Sequence, residues 1–359
     1  MRAHSCCFVL VIAALASTAH GEEAFANTSG KVDYATLDYP VGEVETYEHD
    51  SGAWDNDTGL TAMRHRHVIQ FDGAAWIRVF FSENRLEKGS FIRITSRLDG
   101  EIQELDAGAL AMWGNASAFF NGDEVTVELV AGPDTAGNRF VIGQVARLFH
   151  SPQPVGGSGE CGICGPDDRV PSGEDWAARL FPAGCTASVY NEDSCMVSAG
   201  HCVDVSMVVQ FNVPNSQSNC NTINPPVADQ FPIVNQSFVN GGVGNDWSVL
   251  IPGTNDLGQL PFERYGEFRP IAAGPAGPGQ LTELTGYGVD LTCTRSQTQQ
   301  FADGPISQVF SNYYTFSIDL RGGNSGSALM RNDQIIGIAT HCPCPNIASR
   351  IDLPAFEAA

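Results

Sequence analysis

The stretch GGNSGSAL, residues 322–329, decides how this chain is read, together with SAGHC at 198–202. Ser325 stands in a glycine-rich loop, His201 lies well upstream, and Asp246, in GNDWSVLI, falls between them. A serine hydroxyl is a poor nucleophile at neutral pH. It needs a base to take its proton, and the base needs a partner that holds its tautomer. Those three residue types occur here in the order histidine, aspartate, serine. Singly, each has a plainer reading: a core histidine, a turn aspartate, a glycine-rich hairpin. Jointly they predict Ser325 as nucleophile, His201 as base and Asp246 as orienting carboxylate. Gly323 lacks a side chain, so its amide and that of Ser325 are expected to converge as an oxyanion hole.

The rest of the chain sets the context for that cluster. Its 359 residues are long enough for two domains. A net charge of -22 argues against nucleic acid, because phosphate binding needs clustered Lys and Arg. Apolar content of 43% with 17% charged residues fits a globular protein. Arg2 followed by CFVLVIAALA at 7–16 and the small residues Ala19 and Gly21 reads as a signal peptide over 1–21. Its apolar run is too short for a membrane span, and no later run is apolar enough. A secreted protein with no membrane contact after signal removal is expected. Cys6 and Cys7 would leave with the signal, so nine of the 11 cysteines remain. In an exported chain disulfides are expected over a zinc site, and the odd number leaves one cysteine free or bonded between chains.

Residues 22–65 read as a polar lead-in. From 66 to 150 the runs HVIQF, WIRVFF, FIRITSR, VTVELVA and RFVIGQVARLF alternate with turn signals such as FDG, LDG and FNGD. They predict a small antiparallel β-sandwich, a candidate pro-domain, folding aid or binding module. SPQPVGGSGE at 151–160 is the linker. From 161 to 359 short strands recur without helical periodicity, which favours a barrel or sandwich. His65 and His67 have strand spacing and are expected on a solvated strand face, not at a metal. No metal or cofactor is expected. Asn27, Asn56, Asn115 and Asn235 each begin an Asn-x-Ser/Thr sequon.

CTASVYNEDSCMVSAGHC, 185–202, resembles the histidine region of chymotrypsin-like (trypsin-fold) peptidases. GNDWSVLI resembles that family's aspartate strand. GGNSGSALM with QIIGIATH resembles its serine loop and cleft strand, and ELTGYG at 283–288 its glycine turn. The resemblance covers 161–359. It implies an all-β fold in which a double β-barrel peptidase domain follows the sandwich. It further implies a disulfide joining Cys185 and Cys202, and a serine endopeptidase made as a zymogen and acting on protein or peptide substrates.

Two departures from the animal enzymes stand out. Asn324 occupies the place of the aspartate that pairs with the new N-terminus of activated trypsins. GNSGS is similar instead to the bacterial-type branch that contains glutamyl endopeptidases, and CGPDDRV at 164–170 resembles a segment near the mature N-terminus of that branch. A cut in 151–163 is then the alternative to one between Arg169 and Val170. Asp319, counted without gaps, matches the floor of the trypsin specificity pocket and implies a preference for Arg or Lys. The alternative is that Asp319 turns elsewhere and glutamate is preferred. The histidine that preference needs is expected at Ala339, and His341 lies two residues on, on the same strand face. Thr340, His341 and Cys342 are expected to line the cleft in either case. An inactive, peptidase-like binding protein is the competing class. A lipase or esterase fails on chain order and on the all-β pattern.

Overall fold

The computed structural model describes residues 27–28, 42–149, 162–342 and 344–358. The expected signal peptide, the 151–160 linker and Cys161 lie outside the described residues. Two antiparallel sheets form the N-terminal unit. One contains Trp76–Arg85, Thr135–Leu148 and Glu43–Asp50, and the other runs Ala62–Gln70, Glu124–Ala131, Phe91–Ser96, Ile102–Leu105. Strand alternation explains the layering. In FIRITS every second side chain is buried, so Ile92 and Ile94 face inward while Arg93 and Thr95 face out.

The sandwich begins earlier than the sequence suggests. Glu43–Asp50 and Trp54–Asn56, within the stretch read as a polar lead-in, are both strands of it. EVETYEHD buries none of its side chains completely, so it pairs through its backbone while its composition reads as surface. Two sequon asparagines, Asn56 and Asn115, are buried, whereas Asn235 is exposed.

The sandwich core continues into the next domain. Phe181, Val208 and Val227 belong to the same apolar cluster as Trp76, Phe81 and Phe140. Trp76, Phe119 and Phe181 pack edge to face, with ring centroids 5.1, 4.7 and 5.6 Å apart, the arrangement aromatic quadrupoles prefer. Gln230 closes this seam by accepting from the amide of Phe119 at 3.0 Å and donating to its carbonyl at 2.9 Å. Arg78, buried, donates to Ser117 O in the sandwich and to Ser206 O beyond it.

Two barrels follow. Ala177–Phe181, Cys185–Val189, Met196–Ser198, Asp246–Pro252, Gln230–Asn240 and Val208–Gln210 close on one another as the first. The second runs Gln300–Val309, Leu281–Gly286, Ala328–Arg331, Gln334–His341, Asn346–Arg350, Tyr313–Phe316, and closes where Ile306 pairs with Phe316. Closure leaves neither barrel with an unpaired edge. Disulfides join Cys185 to Cys202, Cys164 to Cys344 and Cys220 to Cys293. Cys195 and Cys342 are disulfide-bonded as well. Among the described residues no helix is long and apolar enough to cross a membrane.

His65 and His67 face a third histidine, His49, across the seam of the sandwich. The His49 and His67 rings stack 3.5 Å apart, and His49 Nε2 lies 2.9 Å from His65 Nε2. Burial, with His49 and His65 adding to it, lowers the His67 pKa to about 4. The unfolded chain therefore binds a proton at this position between about pH 6.5 and about pH 4 that the folded chain does not. Stability should fall as pH drops through that window, so the melting temperature should be lower at about pH 5 than at about pH 7. Calorimetric melts should show this difference shrinking in His67→Gln.

Candidate active site

His201 sits on the 3-10 turn Gly200–Cys202, directly after the strand Met196–Ser198. Gly200 is required there, because a Cβ would lie 2.0 Å from Val239 O. The disulfide from Cys202 to Cys185 pins the turn to the neighbouring strand. Asp246 opens the strand Asp246–Pro252, whose Ser248 pairs with Ser198. Strand pairing thus brings the two side chains together. Asp246 is 1% exposed, and both its oxygens go to His201. Oδ2 lies 2.6 Å from Nδ1, and Oδ1 accepts from the His201 backbone amide at 3.0 Å. A carboxylate only accepts, so Nδ1 carries the proton and Nε2 is left as the basic nitrogen.

Ser325 lies in the loop between Tyr313–Phe316 and Ala328–Arg331. It lines the same cavity of about 350 Å³ as His201 and Asp246. No hydrogen bond joins Ser325 to His201 here; such contacts often tighten only when substrate is bound. The loop is folded tightly against its surroundings. Gly323 and Gly326 have φ of 98° and 89°, in the region that favours glycine. A Cβ on Gly323 would meet Gln297 Nε2 at 2.3 Å, and one on Gly326 would meet Thr186 O at 2.0 Å. Three carbonyls of this loop are held by neighbouring segments. Gly322 O accepts from Val289 N at 2.8 Å, Gly323 O from Thr186 Oγ1 at 2.9 Å and Ser325 O from Thr186 N at 2.8 Å. Among the described residues no hydrogen bond takes the amides of Gly323 or Ser325.

Thr340, His341 and Cys342 line the cavity together with Leu320, Arg321 and Asn240. His341 stands edge-on to His201, centroids 6.2 Å apart, and its Nδ1 is 2.9 Å from Thr340 Oγ1. Burial lowers its pKa, with Asp246 acting in the opposite sense and His201 adding to the decrease. Asp319 is placed differently from a pocket floor. It is 3% exposed and absent from the cavity wall, and its oxygens accept from Cys164 N at 2.5 Å and Asp168 N at 3.0 Å. That is a correction to the reading of Asp319 as a substrate ligand: its carboxylate is consumed in anchoring segment 164–168. Arg321, two residues on, reaches the wall instead, with Asp167 Oδ2 3.5 Å from its Nε. Sequence reading missed Arg321 and Asn240, since neither belongs to a motif: Arg321 arrives by loop geometry, and Asn240 by its strand pairing with Asp246.

Cys185, His201 and Cys202 lie close enough to suggest a metal site. They do not fit one, because the two sulfurs bond to each other and His201 Nδ1 is committed to Asp246.

Two closed barrels flanking this cleft define a serine-type endopeptidase, a hydrolase of protein or peptide substrates. The trypsin family model matches residues 163–353, more than half of the chain, and the chain belongs to that family. Similar solved structures include a Glu endopeptidase in complex with MPD, at 20% identity over 54% of this chain and 95% of that one, TM-score 0.44. A mutant of human heparin binding protein shares 15% identity over 54% and 91%, TM-score 0.39. Neuropsin, a serine protease from mouse brain, shares 15% over 54% and 94%, TM-score 0.39. No curated protein sequence matches the chain.

Asp319→Ala strips two backbone amides of their acceptor, and each such loss typically costs about 1–3 kcal/mol. The variant should melt earlier than wild type, while a peptide-library profile should show its choice of residue before the cut unchanged.

Proposed function

We propose that the peptidase works through a triad of His201, Asp246 and Ser325 and an acyl-enzyme. The observation that carries this is the commitment of both Asp246 oxygens to His201, which leaves Nε2 facing a cleft that Ser325 also lines. Ser325 Oγ attacks the scissile carbonyl as His201 Nε2 takes its proton, and His201 then returns that proton to the leaving amine. Asp246 stabilises the imidazolium that forms between these steps. The amides of Gly323 and Ser325 receive the oxyanion of the tetrahedral intermediate. Water then repeats the sequence on the acyl-enzyme and releases the second product. Disulfides form in oxidising compartments, which supports an exported enzyme.

For the residue before the cut, an acidic side chain is the better supported choice. The Arg or Lys preference rested on Asp319, which is engaged elsewhere. Arg321 and His341 are the ionisable groups of the cavity wall outside the triad. A carboxylate entering there meets the His341 imidazole as a donor, whereas a guanidinium or ammonium finds no carboxylate in the described wall except Asp246, which is committed to His201.

A fluorophosphonate probe should label wild-type protein and leave Ser325→Ala unlabelled. Asp246→Asn should keep the fold and lose roughly 10⁴-fold in kcat, as the imidazole takes the wrong tautomer. A peptide library should return cuts after Glu or Asp; cuts after Arg or Lys would remove the acidic reading and leave the triad standing.

A further inference from the structure

We propose that Arg169 is a positioning residue for the oxyanion hole, and that it keeps the hole formed in the uncut chain. The proposal rests on the reading of the Gly323 and Ser325 amides as oxyanion donors.

The connection runs through one intermediate residue. Arg169 Nη1 donates to Val289 O at 3.0 Å, and Val289 N donates to Gly322 O at 2.8 Å. A trans peptide points its C=O and N–H in opposite directions. Holding the Gly322 carbonyl on Val289 therefore turns the Gly323 N–H the other way, away from the protein-side anchor. Gly288 is what lets these groups meet. A Cβ there would lie 2.8 Å from Arg169 Nη1 and 2.8 Å from Asn324 Oδ1, so guanidinium, glycine turn and serine loop share one layer.

Arg169 is itself firmly seated. Its side chain is 1% exposed, and its Nε and Nη2 fork onto Asp167 at 2.9 and 2.8 Å. Asp290 adds a second carboxylate 3.7 Å from Nη2. The backbone around it is anchored from three sides. Asp319 accepts from Cys164 N and Asp168 N, Arg295 Nη2 donates to Arg169 O at 2.6 Å, and Val170 pairs with Phe301. The bond to Arg169 lowers the Asp167 pKa to about 2, so the fork persists across the neutral range.

Every group in this chain of contacts is internal, and none is a terminal ammonium. The side chain and carbonyl of Arg169 are both engaged, which closes the bond between Arg169 and Val170 to a processing peptidase. Nor does the sandwich occlude the site, since no residue of 42–149 lines the cavity. It docks through Trp76, Arg78 and Phe119 on Phe181, Ser206 and Gln230 instead. A cut between 149 and 162 would break none of the contacts that orient Gly323. The structure thus assigns catalytic competence to the single chain, with the sandwich as a lasting companion of the barrels.

The test uses the full chain carrying a site for an added, site-specific protease within 151–160, its integrity checked by mass. Fluorophosphonate should label Ser325 at rates within about twofold before and after that cut. Labelling only after the cut would overturn the proposal; labelling in neither form would instead bring down the serine-peptidase reading. Arg169→Lys and Arg169→Met should lower kcat per titrated active site by roughly 10- to 100-fold, below the effect of deleting a donor outright, with KM little changed. Affinity for a peptide aldehyde, which forms the tetrahedral adduct, should fall in proportion to kcat. Unchanged kcat and aldehyde affinity in Arg169→Met would refute the role. If that variant fails to fold, the comparison of cut and uncut wild type still decides whether the single chain is competent.

Discussion

One residue takes both oxygens of a buried carboxylate, and the catalytic half of this molecule is arranged around that fact. Asp246 holds the ring of His201 with one oxygen and its backbone amide with the other. Removing a carboxylate from water is costly unless its lone pairs are met. Here the donors that meet them also orient the imidazole. The pairing of Ser198 with Ser248 sets the separation, and Gly200 lets the turn approach the strand carrying Val239.

The second barrel contributes by backbone rather than by side chain. Its serine loop is held by carbonyls: Thr186 binds two of them and Val289 a third. Thr186 belongs to the first barrel, so the loop is tied across the junction as well as within its own domain. In the proposed mechanism such preorganisation matters because the oxyanion donors need not reorganise as charge develops. The loop tolerates glycine alone at 323 and 326, because the space a side chain would need is filled by Gln297 and Tyr287 at the first and by Thr186 and Ser198 at the second.

How much of this was legible in the sequence depended on whether a feature is local. The order of His201, Asp246 and Ser325 and the alternation in FIRITS and VTVELVA are local, and each marks its element directly. Glu43–Asp50 was missed because a half-buried edge strand can be built from polar residues and still pair. Asp319 was misplaced for a different reason. Counting residues from Ser325 locates its backbone, yet the direction of its carboxylate is decided by the amides of Cys164 and Asp168, about 150 residues earlier. Arg321 reaches the cleft from a loop whose path no motif encodes, and Asn240 from the end of a strand whose register against Asp246 is set by pairing. The role proposed for Arg169 lies further still from sequence, since it runs through Val289, which carries no chemistry of its own.

The disulfide between Cys164 and Cys344 spans 180 residues and encloses nearly all of both barrels in a covalent ring. A peptidase at high concentration is surrounded by copies of itself, and exposed loops such as the one carrying Val243 are the readiest substrates. A single nick inside the ring opens a loop but separates nothing: the two new ends remain parts of one molecule. Residues 42–149, seated on the first barrel by aromatic packing, contain no cysteine and lie outside the ring. Within the ring, self-digestion therefore wears this enzyme down by successive cuts rather than dismantling it at the first.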